Sequence, residues 1–160
     1  MKNKIKISFF IFISIFIVDQ VIKYGFANFN WNVEGPIMSL QLAYNYGVAF
    51  SMFSFLAEYL KFIQLALVLA GTIYLYKNPE VFYEYYVPVG LLYAGGLSNI
   101  LDRFTYGGVV DYLYWHYGFE FAIFNLADVI IDLAVVIIIY KQIKGSKKVN
   151  QEKEENGKNL

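Results

Sequence analysis

The sequence predicts an all-α membrane protein: four transmembrane helices, with a small β-rich loop segment on the extracytoplasmic side. Three observations point there. Of the 160 residues, 58% are hydrophobic and only 16% charged, against about 25% charged in an ordinary soluble domain. Four apolar stretches, near residues 5–25, 59–76, 85–101 and 121–140, each approach the ~20 residues that cross a bilayer. Lysines gather at the ends of alternate stretches, the bias that marks cytoplasmic loops.

The N-terminal MKNKIK carries three lysines, and ISFFIFISIFIV follows. A basic start, a short apolar core and a small residue at Ala27 also fit a cleaved signal peptide. Helical periodicity favours a retained span instead, because Asp19 and Lys23 stand four apart with the acid first, the better order for an ion pair on one helix face. Residues 26–57 form a long connection rich in Asn, Gly and aromatics, in which IMSLQLAYN alternates like a short strand and AYNYGVAFSMFSF is able to dip into the interface. The second span follows with Lys61 near its start, positioned to snorkel. YKNPE is a turn broken by Pro79. The third span holds Pro88 and the pair Gly95-Gly96, small residues that let helices approach closely.

Residues 1–145 make one membrane domain, and 146–160 a polar tail of mixed charge expected to be disordered. The N-terminus, the turn at Lys77 and the C-terminus fall on one side, which is cytoplasmic by its lysines. Asp19, Asp102, Asp111 and Asp128 then all lie near the outer ends of spans. Formal net charge is zero and Cys is absent. Attraction of the whole chain to nucleic acid therefore has no support, and disulfides, thiolate nucleophiles and cysteine metal sites are excluded.

The candidate chemistry centres on Gly107–Asp128, GGVVDYLYWHYGFEFAIFNLAD. Acids inside or beside a membrane span are costly and mark functional sites, and two brought together can split a peptide bond with water. Asp111 follows a pair of glycines suited to a tight turn; its plain alternative is a turn or N-cap residue. Asn125 and Asp128 share one face of the fourth helix, where Asp128 is alternatively a charge favoured by the helix dipole. Asp132 lies on that face about 6 Å deeper and rivals Asp128 as partner of Asp111, although access of water from outside leans toward Asp128. Asn99, Asp102 and Arg103 share a face of the third helix, with Asp102 expected to pair with Arg103 as a structural brace. Asn45 and Gly47 in NYGVAF are able to bring an amide and a close backbone to the same place. His116, the single histidine, reads as an interfacial residue; no second His or Cys exists to complete a zinc site.

Five motifs occur together and in order: DQVIK (Asp19–Lys23), NYGVAF (Asn45–Phe50), GGLSNILDR (Gly95–Arg103), GGVVDY (Gly107–Tyr112) and FNLAD (Phe124–Asp128). On these residues the chain resembles the lipoprotein signal peptidases, the type II signal peptidases of bacteria, over about residues 5–145. The resemblance implies an aspartyl endopeptidase of the cytoplasmic membrane; its chemistry needs no cofactor or metal, and it is expected to act as a monomer. Such an enzyme removes the signal peptide from a prolipoprotein on the N-terminal side of its diacylglyceryl-modified cysteine, and the cyclic peptide globomycin inhibits it. The catalytic pair is then Asp111 and Asp128, since Asp132 lies outside the motif. Asn45, Gly47, Asn99, Asp102, Arg103 and Asn125 match positions that shape the site, and Asp19 and Lys23 match a pair associated with stability and substrate contact. Two departures are visible. Ser98 stands where Gly is common and Ala122 where Pro is common, and both are expected to affect rigidity rather than chemistry.

Two other functions compete on pattern. Gly96-Leu97-Ser98-Asn99 with His116 has the look of a rhomboid-like serine protease. Asp128 and Asp132, stacked along one helix face, suit a small ion or proton channel.

Overall fold

A computed structural model describes residues 2–47 and 52–158, with side chains up to residue 146. It contains α1 (Lys2–Phe29), β1 (Met38–Asn45), a 3-10 turn (Ser54–Leu56) leading into α2 (Ala57–Lys77), α3 (Pro79–Thr105), β2 (Val109–Trp115) and α4 (Leu126–Lys158). With no proline to break it, α1 continues for 28 residues, about 42 Å at the helical rise. Among the described residues, Lys2–Phe29 and Ser54–Lys77 are long and apolar enough to cross a membrane, with mean hydropathies of 2.1 and 1.5. The apolar stretches of α3 and α4 are interrupted by polar groups, among them Asn99, Asp102 and Arg103 on α3 and Asp128, Asp132 and Lys141 on α4.

Pro79 opens α3 at a position where its missing N–H costs nothing. Helix α3 packs against the other three helices and is kinked at Tyr85 (φ −108°, ψ 22°). The cause is Pro88, which has no N–H to give the carbonyl of Glu84 one turn earlier. The ammonium of Lys141 from α4 takes that carbonyl instead. Lys4 of α1 donates to the carbonyl of Tyr83 at 2.9 Å. The start of α1, the α2–α3 turn and Lys141 therefore meet at one end of the bundle.

Close helix approach depends on two glycines. A Cβ on Gly90 would stand 2.6 Å from the Ser8 carbonyl oxygen of α1, and one on Gly95 would stand 2.6 Å from the Ala127 carbonyl oxygen of α4. Gly96, beside it, faces open space, so only one of the paired glycines serves packing.

The sheet closes the other end. β1 and β2 are antiparallel, from Met38 opposite Trp115 to Asn45 opposite Val109, with a bulge between Leu40 and Ala43. A lone two-stranded sheet is marginal. This one rests on α1, where the Phe26 and Tyr112 rings stack 4.7 Å apart at 7° and Val110 packs beside them.

The expected strand in IMSLQLAYN forms as β1. The tight turn expected at Gly107-Gly108 is present, with Gly107 at φ 77°, and leads into β2, a strand the sequence does not announce, because β1 supplies the partner for its backbone. Two other expectations change. The fourth helix starts at Leu126 rather than Phe121. The reason is that Phe124 is tied to Leu113 by hydrogen bonds in both directions, of 2.8 and 3.0 Å, so the chain arrives extended. The tail expected to be disordered continues α4 to Lys158, as its Lys, Glu and Gln, all good helix formers, permit. Of NYGVAF, residues 48–50 lie outside the described residues, as does Ser51 of the segment expected to dip into the interface.

Candidate active site

The start of α4 is the anchor of the site. The first four N–H groups of a helix have no partner within it, and here each finds one on a side chain. The N–H of Asn125, the cap, donates to Asp128 Oδ2 at 3.1 Å, and the Asp128 N–H returns to Asn125 Oδ1 at 2.9 Å. This is a capping box built from Asn and Asp. The Leu126 N–H donates to the Tyr112 hydroxyl at 3.2 Å and the Ala127 N–H to Asp19 Oδ1 at 3.1 Å. Groups from α1, β2 and α4 thereby fix where Asp128 stands.

Asn125 also reaches Asp111. Its Nδ2 donates to Asp111 Oδ1 at 2.7 Å, with weaker contacts to Asn99 Oδ1 at 3.3 Å and the Val110 carbonyl at 3.4 Å. One residue therefore touches both carboxylates, Asp111 through its side-chain amide and Asp128 through its backbone N–H. Asn99 Nδ2 donates to the other Asp128 oxygen at 2.9 Å, and the Asn45 side chain hydrogen-bonds Asp111. Asp111 is 2% exposed. Burial, and then the negative charge of Asp128, push its carboxyl up to about 7, against the opposing hydrogen bonds from Asn125 and Asn45. A carboxyl group near neutrality has the proton affinity that acid–base chemistry at physiological pH requires.

Behind the pair lies a buried charged hub. Lys23 is fully buried and lies 2.9 Å from Asp19 and 2.8 Å from Asp102. It also donates to Asn99 Oδ1 at 2.7 Å, which turns the Asn99 amide nitrogen toward Asp128. Asp102 accepts from the Val110 N–H at 3.1 Å, joining the hub to the strand that carries Asp111. The expected Asp102–Arg103 brace is not what forms. Neighbours on a helix project about 100° apart, so Asp102 faces α1 while Arg103 faces α2 and the β1 end. Arg103 donates to Gln64 Oε1 at 2.9 Å and to the carbonyls of Asn45 and Gly47 at 3.3 and 2.5 Å. It clamps the segment that presents Asn45, whose own Oδ1 accepts the Gly47 N–H at 3.0 Å.

A cleft of about 630 Å³ opens on this centre, lined by Asn45, Asn99, Arg103 and Asp128 among others, and by Asp132 one turn along α4. Among the described residues no three His, Cys, Asp or Glu side chains converge as metal ligands.

These residues carry a family pattern. A family model described as signal peptidase II matches residues 11–144. The chain belongs to this family. It is 50% identical over 132 residues to the lipoprotein signal peptidase of Wolinella succinogenes, covering 82% of this chain and 89% of that one. To the lipoprotein signal peptidase of Helicobacter pylori strain 26695 it is 43% identical over 150 residues, covering 94% and 95%. A bacterial membrane enzyme solved by the in meso method superposes with a TM-score of 0.78 at 29% identity, covering 89% of this chain and 91% of that one. As a signal peptidase II the chain is a peptidase and an integral membrane protein.

All ten residues singled out in the five motifs (Asp19, Lys23, Asn45, Gly47, Asn99, Asp102, Arg103, Asp111, Asn125 and Asp128) fall into one connected hydrogen-bonded network at the sheet end of this signal peptidase. Asp132 is exposed and faces the cleft. The serine-protease dyad does not form: Ser98 is buried and donates to Asp19 at 2.5 Å, while His116 shares a 3.0 Å hydrogen bond with Ser39.

Reading residues alone missed Gln20, Gln64 and the structural weight of Ser98. Gln20 Nε2 donates to Ser98 Oγ at 2.7 Å and to Asp102 Oδ1 at 2.9 Å. Far from merely changing rigidity, Ser98 joins Asp19, Gln20 and, at 3.4 Å, Lys23. The available signal was Gln20 beside Asp19, a polar pair inside an apolar helix.

Proposed function

We propose that the chain is an aspartyl endopeptidase of the bacterial cytoplasmic membrane that removes signal peptides from diacylglyceryl-modified prolipoproteins. The cut falls on the N-terminal side of the lipidated cysteine, and Asp111 and Asp128 are the catalytic pair. One observation carries this reading: the single residue Asn125 bonds both carboxylates beside an open cleft, Asp111 through its side-chain amide and Asp128 through its backbone N–H.

The chemistry follows from confinement. Two close carboxylates away from bulk water do not both ionise cheaply, so they share a proton and titrate as a unit. The ionised member takes a proton from a water molecule as that water attacks the scissile carbonyl carbon. The protonated member hydrogen-bonds the carbonyl oxygen and stabilises the developing oxyanion. Collapse of the tetrahedral intermediate breaks the C–N bond, and the proton passes to the departing amine. The pair itself supplies both acid and base, so the reaction draws on no cofactor.

All four helices cross the membrane in this reading, with both termini in the cytoplasm. The meeting of Lys4, the Lys77 turn and Lys141 at the end opposite the pair supports that orientation. Asp111 and Asp128 then work near the outer face. There the two acyl chains of the substrate remain in hydrocarbon, each buried methylene contributing about 0.8 kcal/mol. The protein acts as a monomer, and globomycin inhibits it.

The test uses purified protein and a diacylglyceryl-modified prolipoprotein. Cleavage that globomycin blocks, and that Asp111→Asn and Asp128→Asn each abolish while remaining folded, is expected. Cleavage persisting in either variant overturns the assignment.

A further inference from the structure

Asp132 is the one acid lining the cleft that the network leaves unused. It stands four residues after Asp128 on α4, is exposed, and has no hydrogen bond or ion pair among the described residues. Asp19, Asp102, Asp111 and Asp128 are all bonded. The neighbours of Asp132 along the helix, Ile131 and Leu133, are apolar. A free carboxylate in such a stretch is costly unless it faces water or a polar occupant, and what it faces is the cleft.

The occupant of that cleft has a matching need. A peptide bond open to attack cannot sit inside a helix, so the substrate is extended around the cut. Its N–H groups then lose their helical acceptors at a depth where water is scarce and each unmet donor is expensive. Along an extended chain, residues two apart present their backbone groups to the same side, about 6.6 Å apart at 3.3 Å per residue. Four residues of α4 span about 6 Å. The step from the attacked carbonyl to the N–H of the residue two positions before it on the same side is longer, about 9 Å, because a residue's nitrogen precedes its carbonyl carbon by about 2.4 Å; the rotatable side chain of Asp132 takes up the difference. Because α4 leads from the sheet end toward the lysine-bearing end, that residue lies on the signal-peptide side of the cut.

We propose that Asp132 is a substrate-binding residue: its carboxylate accepts the backbone N–H of the third substrate residue before the cut bond. This rests on the reading of Asp111 and Asp128 as the cutting pair. Asp132 adds a main-chain contact indifferent to the side chain carried there, suited to an enzyme that meets many signal peptides. It also explains why the cleft stays polar one turn deeper than the catalytic pair requires.

The experiment uses two synthetic diacylglyceryl lipopeptides, one natural and one with an ester in place of the amide that contributes this N–H. On the amide substrate, Asp132→Leu should raise KM about tenfold, the scale of one hydrogen bond to a charged group, with kcat within about twofold. Asp132→Asn, which keeps an acceptor oxygen, should recover most of the loss. Wild type should lose about tenfold in KM on the ester, and Asp132→Leu should lose little more. An unchanged KM in Asp132→Leu, or an ester penalty equal in both proteins, overturns the proposal. Asp128→Asn runs alongside. Turnover surviving there defeats the catalytic assignment whatever Asp132→Leu does, whereas its loss with additive Asp132 and ester effects defeats the Asp132 proposal alone.

Discussion

Asn125 donates to Asp111 across 2.7 Å from the same side chain whose oxygen caps the N–H of Asp128 at 2.9 Å. The separation and tilt of the two carboxylates thus depend on a residue that carries no charge. Asn125→Ala is expected to lower kcat about a hundredfold, the cost of an ångström-scale misplacement of reacting groups, with a small change in KM. Steady-state cleavage of a lipidated peptide measures both. A kcat near wild type would mean that strand and helix position the acids unaided.

Lys23 pairs with two buried carboxylates at once. Lys23→Met leaves Asp19 and Asp102 without their cation, and breaking a buried pair from one side costs about 3–5 kcal/mol. A large fall in thermal midpoint in detergent is expected, with part of it regained in the double variant Lys23→Met/Asp102→Asn. A double variant no better than the single one would refute this account of the hub.

Ser98 supplies the hydroxyl that links Asp19 to Gln20. Removing it strands buried polar groups, at about 1–3 kcal/mol. Ser98→Ala and Ser98→Gly should both melt lower than wild type, by similar amounts, while still cleaving substrate. Equal melting temperatures for all three would show the hydroxyl to be idle.

Asp111 makes stability depend on pH in a definite direction. Its carboxyl titrates at about 7 in the folded chain and ordinarily at 3.8. Between those values the folded state holds a proton that the unfolded state has released. The resulting stabilisation is whole below about pH 4 and is lost as pH rises through about 7. Asp111→Asn has no such proton to lose, so its melting temperature should gain on wild type from pH 4 to pH 8. A constant difference across that range would argue against a raised Asp111.

Gly95 and Gly96 offer a matched pair. A Cβ at Gly95 would press on the Ala127 carbonyl, one residue before Asp128, whereas Gly96 has room. Gly95→Val should reduce both stability and activity, and Gly96→Ala should preserve both. Thermal melting and cleavage assays on the two variants check the contrast.

Local physics made much of this molecule legible in its sequence. Apolar length announced helices, Pro79 announced a turn, the spacing of Asp19 and Lys23 announced an ion pair, and alternation announced β1. Each depends on residues within a turn or two of one another. The chain order of the five motifs supplied the list of candidate site residues, but not how those residues touch.

Contacts between elements needed the tertiary structure. VVDYLYW became a strand only because β1 lies alongside it, and α4 began five residues later than its apolar stretch suggests because Phe124 is bound to Leu113. Asp102 turned to Lys23, some eighty positions earlier, rather than to Arg103 beside it. Ser98 proved to be a junction because α1 passes close enough to bond it. By itself the sequence determined where the four helices lie, apart from both ends of the fourth, and which residues bear charge. Only the tertiary structure decided which charges meet, because a buried ionic group must find its partner wherever packing brings one, and packing is set by faces of distant segments.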